Sequence, residues 1–470
     1  MFGYCAISAT ELTDILGEWK TEGPDEHIDF PYLDGSDERD FFWFELDKDS
    51  NTSKCPLPRK SAGTSNSFDR NSYVNFPFSV LAHVGYRPKY GEQILNGLEE
   101  MSKGLESIEH FMRIVSTYEP GFKDAVGLRI LIETIRMDNA EEWVLGMISK
   151  IATIALRAWK LFLHPLPLLR AGSHYRSVSM TQEQAACILA NAFLLCIQER
   201  KSDSFNLFSF FIIHQSSEPI TVAKLEFMLR YFECVSDEMP TGVVTFLRKR
   251  LDVQTTEQWS AESSTISDLV VDANGSIYDA QGCLQVDFAN RFIGGGSLRR
   301  GAVQEEIMFL IRPELFVSQL LCEIMKEDEA LIVAINALRF TMKEAVKQYD
   351  QELLERELNK AYIGFSLHEG KTHIRPIATG NWGCGAYNGD KEFKSLIQMI
   401  AASKYGRSVV YYTFGDEKLV ERLKKTHRML QERKVTSGQL FQWLIDYKNA
   451  RISHAESIGK RSGKSKRIDH

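Results

Sequence analysis

The stretch "GGGSLRRGAVQEEIMFLI", residues 294–311, sets two adjacent carboxylates, Glu305 and Glu306, behind a run of three glycines. Gly294, Gly295 and Gly296 permit positive φ and let a ligand approach the backbone closely. Val303, Ile307, Leu310 and Ile311 recur at i, i+4, i+7 and i+8, the spacing of a buried helical face. Pro313 stops that helix soon after. Gln304, Glu305 and Glu306 therefore fall in its first turn. A helix dipole favours carboxylates there whatever their function. If the pair instead does chemistry, its spacing limits which chemistry. Neighbouring helical residues point about 100° apart, so the two cannot face each other across a sugar as the carboxylates of most glycosidases do. Acting on one ligand, one would hold it while the other transfers a proton.

A second glycine-rich stretch is "ATGNWGCGAYNGD", residues 378–390. It follows an expected strand and precedes a helix with Phe393, Leu396, Ile397 and Ile400 on one face. Backbone N–H groups in such a loop, together with a helix N-terminus, make an anion site. The loop has no Gly-Lys-Ser/Thr, and Asn388 stands where GxGxxG would have its last glycine. It reads either as a tight turn with structural glycines or as a diphosphate cradle of another type. In "VVYYTFGD", residues 409–416, Phe414 could stack on a base at the end of a strand, or simply belong to the core.

The elements that must position these residues follow from pattern. "SMTQEQAACILANAFLLCIQER" is helical, with Thr181 and Gln184 forming a capping box. After about residue 240, short β-branched or aromatic runs ("TGVVTFL", "LQVDFANRFIGGG", "EALIVAINALRF", "THIRPIATG", "SVVYYTFGD") alternate with helical stretches. That alternation predicts an α/β layer with ligands at its loop ends. The first 130 residues contain polar, turn-rich stretches that read as loops or disorder, and the tail "GKRSGKSKRIDH" as a solvated basic end.

Composition narrows the classes. The 470 residues are 44% hydrophobic, 25% charged and 11% aromatic, the profile of an ordinary globular protein long enough for two domains. A net charge of -7 gives no general attraction to nucleic acid or anionic membrane. The eight cysteines include no CxxC pair and no Cys/His cluster at zinc spacing, so reduced, mostly buried thiols are expected. The N-terminus lacks the pattern of a secretory signal, and no apolar run reaches the roughly 18 residues of a membrane helix.

Several blocks together resemble one family. "VDFANRFIGGG" followed by "QEE" is similar to the signature of the poly(ADP-ribose) glycohydrolases, and "RELNKAYIGF", "ATGNWGCGA" and "VVYYTFGD" resemble that family's other blocks. So do "PLPLL", "MTQEQAACILANAF" and "PTGVVTF", in the same order, over roughly residues 135–450. The resemblance implies an α/β fold: a macrodomain-like mixed sheet flanked by helices, with an N-terminal helical accessory region. The expected organisation is a variable region 1–134, a helical region 135–240, a catalytic domain 241–450 and a tail 451–470. The implied activity is hydrolysis of ribose–ribose O-glycosidic bonds in poly(ADP-ribose), without cofactor or metal. The implied partners are the polymer and the proteins that carry it, met by a soluble monomer in nucleus or cytoplasm, with no direct nucleic-acid or membrane binding.

By the same resemblance, Glu306 is the acid/base and Glu305 the substrate-holding carboxylate. Gln304 and Gly294, Gly295 and Gly296 complete that block, with Asp287 and Asn290 on the ribose side. Asn381, Gly383, Gly385 and Tyr387 form the diphosphate loop. Phe414 packs on the adenine and Ile277 reaches it, although Tyr278 stands where relatives often have an acidic residue. One departure is larger. Relatives carry several dozen residues between two strands after the catalytic helix, with a tyrosine that clasps the substrate. Here "KEDEALIVAINALRF" runs straight through, with the junction near Val333 and Ala334. A weak or inactive binder of ADP-ribose or its polymer is the alternative that this departure raises.

Overall fold

The computed structural model describes residues 74, 88–162, 166–172, 175–197, 202–326, 329–331, 333–366 and 374–448. The polar stretches before residue 74 and the basic tail 451–470 lie outside the described residues. The chain gathers into two units, Lys249–Phe288 with residues from Lys326 onward in one, and residues through Arg248 with Ala289–Met325 in the other.

The unit containing Ala289–Met325 is mainly helical. Its principal helices are α1 (Pro88–Ser102), α2 (Ile108–Tyr118), α3 (Val126–Thr134), α4 (Ala140–Ala155), α5 (Gln182–Phe193), α6 (Pro219–Asp237) and α7 (Gln304–Ile311). Two strands, β1 (Tyr175–Thr181) and β2 (Val243–Arg250), pair with each other. Helix α5 starts where expected: the Thr181 hydroxyl accepts from the Gln184 N–H while the Gln184 side chain accepts from the Thr181 N–H. From Gln184 to Phe193 every residue of α5 is buried, because α4 and other helices surround it. A helix apolar on all sides is stable only in such a place. Pro219 opens α6, where its fixed φ and missing N–H cost nothing. Helix α6 packs on α3, α4 and α7, and so reaches the acidic turn from below.

The other unit is built on a parallel sheet in the order β3 (Leu269–Asp272), β6 (Val409–Tyr412), β5 (Ile377–Gly380), β4 (Leu284–Gln285). Leu269 to Asp272 pair with Val409 to Tyr412, and Ile377 to Gly380 with the same four residues from the other side. Leu284 and Gln285 pair with Ile377 and Ala378. Parallel strands need helical crossovers that cover both faces, so the central ones are buried. All four residues of β5 are buried. Helices α8 (Gln351–Gly364) and α9 (Lys391–Lys404) pack together, and α10 (Glu417–Glu432) lies on β3. Trp259, Trp382 and Tyr411 are the largest side chains in this core.

The chain beyond β4 is secured where the junction falls. Asp287 and Ala334 form a parallel bridge: the Asp287 N–H donates to Val333 O at 3.1 Å, and the Ile335 N–H to Asp287 O at 3.1 Å. The Trp382 indole then donates to Ile335 O at 2.9 Å. Residues 333–335 are thus held by a single bridge, with Val333 turned to φ +27°. Among the described residues Cys187, Cys196 and Cys322 are buried free thiols, and no helix is long and apolar enough to cross a membrane.

Candidate active site

The glycine loop and the acidic turn fold onto each other. Val303 is the N-cap of α7, and its side chain cannot cap. Glu306 reaches back instead, its Oε2 accepting the Val303 N–H at 3.0 Å while Oε1 accepts the Gly296 N–H at 2.8 Å. Glu305 takes the Asn290 N–H on Oε2 at 2.8 Å and the Gly294 N–H on Oε1 at 2.6 Å. Both carboxylates are thus held by backbone donors, the strong charge-assisted kind. The helix-start explanation covers only the Val303 contact; the other three donors come from the loop. Glu306 keeps 6% of its surface open against 2% for Glu305, which makes it the more accessible of the two.

The glycines are required by space. Gly294 and Gly295 have φ of +82° and +47°. A Cβ on Gly295 would lie 2.6 Å from Glu306 Oε1 and 2.7 Å from Glu305 Oε2. Gly301, which the motif reading did not single out, is tighter still: a Cβ there would lie 2.5 Å from Glu306 Oε1.

Two residues distant in sequence shape this loop, and sequence reasoning missed both. The buried Lys224 ammonium donates to the carbonyls of Ser297 at 2.9 Å, Arg299 at 2.7 Å, Gly296 at 3.3 Å and Gly301 at 2.5 Å. Burial pushes its pKa down to about 7, while the Glu306 carboxylate pulls it back up. Asn206 Nδ2 donates to Ile293 O at 2.8 Å and Gly295 O at 3.0 Å. The one local signal was a lysine in an apolar helical stretch, "TVAKLEFML".

The other unit brings its candidates to the carboxyl ends of parallel strands. The loop after β5 closes on itself: the Gly389 N–H donates to Gly383 O at 2.9 Å and the Asn388 N–H to Gly385 O at 3.1 Å. Gly383 and Asn388 have φ of +72° and +59°. Phe340 N–H donates to Tyr387 O at 3.0 Å, and Asn388 Nδ2 to Phe340 O at 2.8 Å. Asn381 is fixed between Thr413 O at 3.2 Å and the Tyr411 hydroxyl at 3.1 Å. Asp390 caps α9, its Oδ1 accepting the Phe393 N–H at 2.9 Å. The loop therefore runs into a helix N-terminus, with Gly385 exposed at its tip. Beneath it, Lys394 sits 3.5 Å from the centroid of the Trp382 ring and pairs with Glu357, itself paired with Arg356. Burial, and then the Arg356 charge, hold the Lys394 pKa well below its ordinary value.

Phe414 follows β6 with φ +54° and is 43% exposed. Its ring lies over Gly380, where a Cβ would come within 2.9 Å of it. Ile277, in the 3-10 turn Ile277–Asp279, has its side chain fully buried. Asp287 is buried at the bridge to Ala334. The structure thus gathers Gln304, Glu305, Glu306, Asn290 and Gly294 to Gly296 in one unit. It sets Ile277, Asp287, Asn381, Gly383, Gly385, Tyr387 and Phe414 in the other. Among the described residues no group of three His, Cys, Asp or Glu side chains is gathered to hold a metal ion.

Comparison with known proteins places the chain in a family. The family model for the macro domain fold of poly(ADP-ribose) glycohydrolase matches residues 256–334 and 331–421, in two stretches that meet at the junction described above. The model for the helical domain of the same family matches residues 135–248. Poly(ADP-ribose) glycohydrolase 1 of Caenorhabditis elegans is 32% identical over 350 residues, covering 64% of this chain and 44% of its own length. Poly(ADP-ribose) glycohydrolase 2 of that organism is 31% identical over 352 residues, covering 64% and 70%. Poly(ADP-ribose) glycohydrolase 1 of Arabidopsis thaliana is 28% identical over 344 residues, covering 50% and 62%. The chain thus spans less than half of the first of these relatives. With two family models and relatives matching across both units, the chain belongs to the poly(ADP-ribose) glycohydrolase family.

Proposed function

We propose that this chain hydrolyses the ribose–ribose O-glycosidic bonds of poly(ADP-ribose) and releases ADP-ribose. The observation that carries the reading is the pair of buried carboxylates wrapped by glycine-loop N–H groups, one of them more open than the other. Glu306 as the acid gives a proton to the leaving ribose oxygen as the glycosidic bond breaks. The ionised carboxylate then takes a proton from the water that attacks the anomeric carbon, which restores the acid. Positive charge develops on the sugar in between. Glu305 and Gln304 hold the ribose, with Asp287 and Asn290 assigned to its hydroxyl side. The loop from Asn381 through Gly383 and Gly385 to Tyr387 takes the diphosphate on backbone N–H groups. Phe414 stacks on adenine, and Ile277 contributes through the backbone of its turn. The substrate is polymer attached to proteins, and the chain acts as a monomer in the nucleus or cytoplasm.

A second reading is a weak or inactive binder of ADP-ribose. It draws on the direct passage from Val333 to Ala334, where the resemblance implies a substrate-clasping segment in relatives. One pair of measurements separates the two. With polymer as substrate, Glu306→Gln lowers turnover by about 10²–10⁴, the usual loss for a general acid. ADP-ribose affinity of the same variant, measured by calorimetry, stays within a few-fold. Turnover near that of the unsubstituted chain removes Glu306 from the role. No polymer hydrolysis by the unsubstituted chain, with ADP-ribose still bound, favours the binder.

A further inference from the structure

We propose that Lys224 is the positioning residue for Glu306, acting through the glycine loop and not on the substrate; this rests on the reading of Glu306 as the acid/base. An ammonium removed from water is retained only where its donors are satisfied. Lys224 is fully buried in α6. Its three N–H donors meet four carbonyls, those of Gly296, Ser297, Arg299 and Gly301. Two of these four residues are among those that bound the Glu306 carboxylate. Gly296 donates its N–H to Oε1 at 2.8 Å. Gly301 lies so close that a Cβ would come within 2.5 Å of the same oxygen. The two glycines also touch each other, with the Gly301 N–H donating to Gly296 O at 3.1 Å. The loop is therefore a closed ring of turns, its carbonyls drawn inward to one cation and its Gly296 N–H aimed at the carboxylate.

The charge on Lys224 matters as much as its reach. The four carbonyls and the Glu306 carboxylate favour the ammonium, against a burial that pushes its pKa down to about 7. Without the cation, four carbonyl dipoles would converge on nothing, and the ring would open. Gly296 and Gly301 would then no longer fix where Oε1 sits. Proton transfer is sensitive to that position in a way that holding the substrate is not: a displacement of about 1 Å costs on the order of 100-fold in rate.

The test compares Lys224→Met and Lys224→Arg with the unsubstituted full chain. Three quantities are read: kcat and KM on polymer, ADP-ribose affinity by calorimetry, and hydrogen exchange of the loop amides 294–303. Lys224→Met should lower kcat by roughly 10- to 100-fold and speed loop exchange, with ADP-ribose affinity within about threefold. Lys224→Arg, which keeps the charge, should recover a substantial part of kcat. If Lys224→Met does not fold, Lys224→Gln, which keeps two donors, should show a smaller loss of the same kind. Unchanged loop exchange overturns the hold on the loop. Faster exchange with unchanged kcat overturns the link to Glu306. A loss of affinity in step with kcat shows a merely structural lysine and also overturns the proposal. The acid/base reading itself fails separately, through a fully active Glu306→Gln.

Discussion

At the scale of single residues, the acidic turn is held by what the loop lacks. Glu306 cannot withdraw from an added methyl on Gly301, because its oxygens are tethered to the Gly296 and Val303 N–H groups. The new Cβ would meet Oε1 at 2.5 Å, Cδ at 2.7 Å and Cγ at 2.9 Å, so the whole side chain would have to move. Gly301→Ala should therefore lower kcat on polymer by about 100-fold or more while the protein stays folded. Gly146 is the control. It is exposed within α4 with nothing inside 4 Å of its added Cβ, so Gly146→Ala should stabilise the chain by about 0.5–1 kcal/mol in urea unfolding and leave kcat alone. The difference between these two glycines was not legible from sequence. The three-glycine run announced itself, but Gly301 stands alone among arginines and an alanine, and its constraint exists only once Glu306 has folded back over it. Lys224 was hidden for the same reason, since its partners lie more than seventy residues away.

At the scale of elements, local signals carried further. The Thr181 capping box and the end of α7 before Pro313 follow from side chains a few residues apart, whereas Val303, expected on the buried face of α7, is its exposed N-cap. Most strands after residue 240 were visible as β-branched runs, but β3 (Leu269–Asp272) was not among them, and the order was hidden because pairing β3 with β6 joins residues far apart in sequence. One element carries its own pH response. His214, in the short helix Phe211–Gln215, is enclosed by the rings of Phe111, Phe122 and Phe193, the nearest centroid at 4.8 Å. Its Nε2 donates to Phe193 O at 2.8 Å, which leaves Nδ1 as the unprotonated nitrogen, and Nδ1 has no partner among the described residues. Burial lowers its pKa from 6.5 to about 4, against the pull of the Phe193 carbonyl. Above pH 6.5 the ring is neutral folded or unfolded, and it contributes no dependence. As pH falls from 6.5 toward 4, the unfolded chain takes up a proton that the folded chain refuses. Stability then drops by up to about 3 kcal/mol, at about 1.4 kcal/mol per unit. Urea midpoints at pH 4.5 and 7 should show this fall, and His214→Gln, which keeps a donor for Phe193 O, should remove that group's share. An identical slope in the variant would place the acid sensitivity in other groups.

At the scale of the whole molecule, the family was legible because its blocks occur in order along the chain, but the packing was not: Ala289–Met325, which carries the acidic turn, groups with the helical unit although it lies within the stretch matched by the macro domain fold. What sequence left open was whether a chain passing directly from Val333 to Ala334 could still complete its sheet. Asp287 holds the passage in place without adding a strand, since its N–H and carbonyl bond to Val333 and Ile335 as a single bridge, and Trp382 fixes Ile335 from the side. The passage is closed without the extra segment, though Val333, a β-branched residue, is left at φ +27°, outside the regions such side chains favour. An insertion between Val333 and Ala334 therefore need not rebuild the sheet, provided that both ends keep their bonds to Asp287. If the relatives' segment brings a tyrosine onto adenine, it adds one stacking face, worth roughly 1–3 kcal/mol. Grafting it at that point should tighten ADP-ribose binding by about five- to 150-fold, the affinity equivalent of that energy. The gain should vanish when the grafted tyrosine is replaced by alanine. Phe414→Ala should weaken binding in both the grafted and ungrafted chains, because its ring over Gly380 is present in either case. Calorimetry on the four combinations tells stacking from a general ordering of the loops. A graft that folds with unchanged affinity would mean that the ungrafted chain was never limited by the missing face.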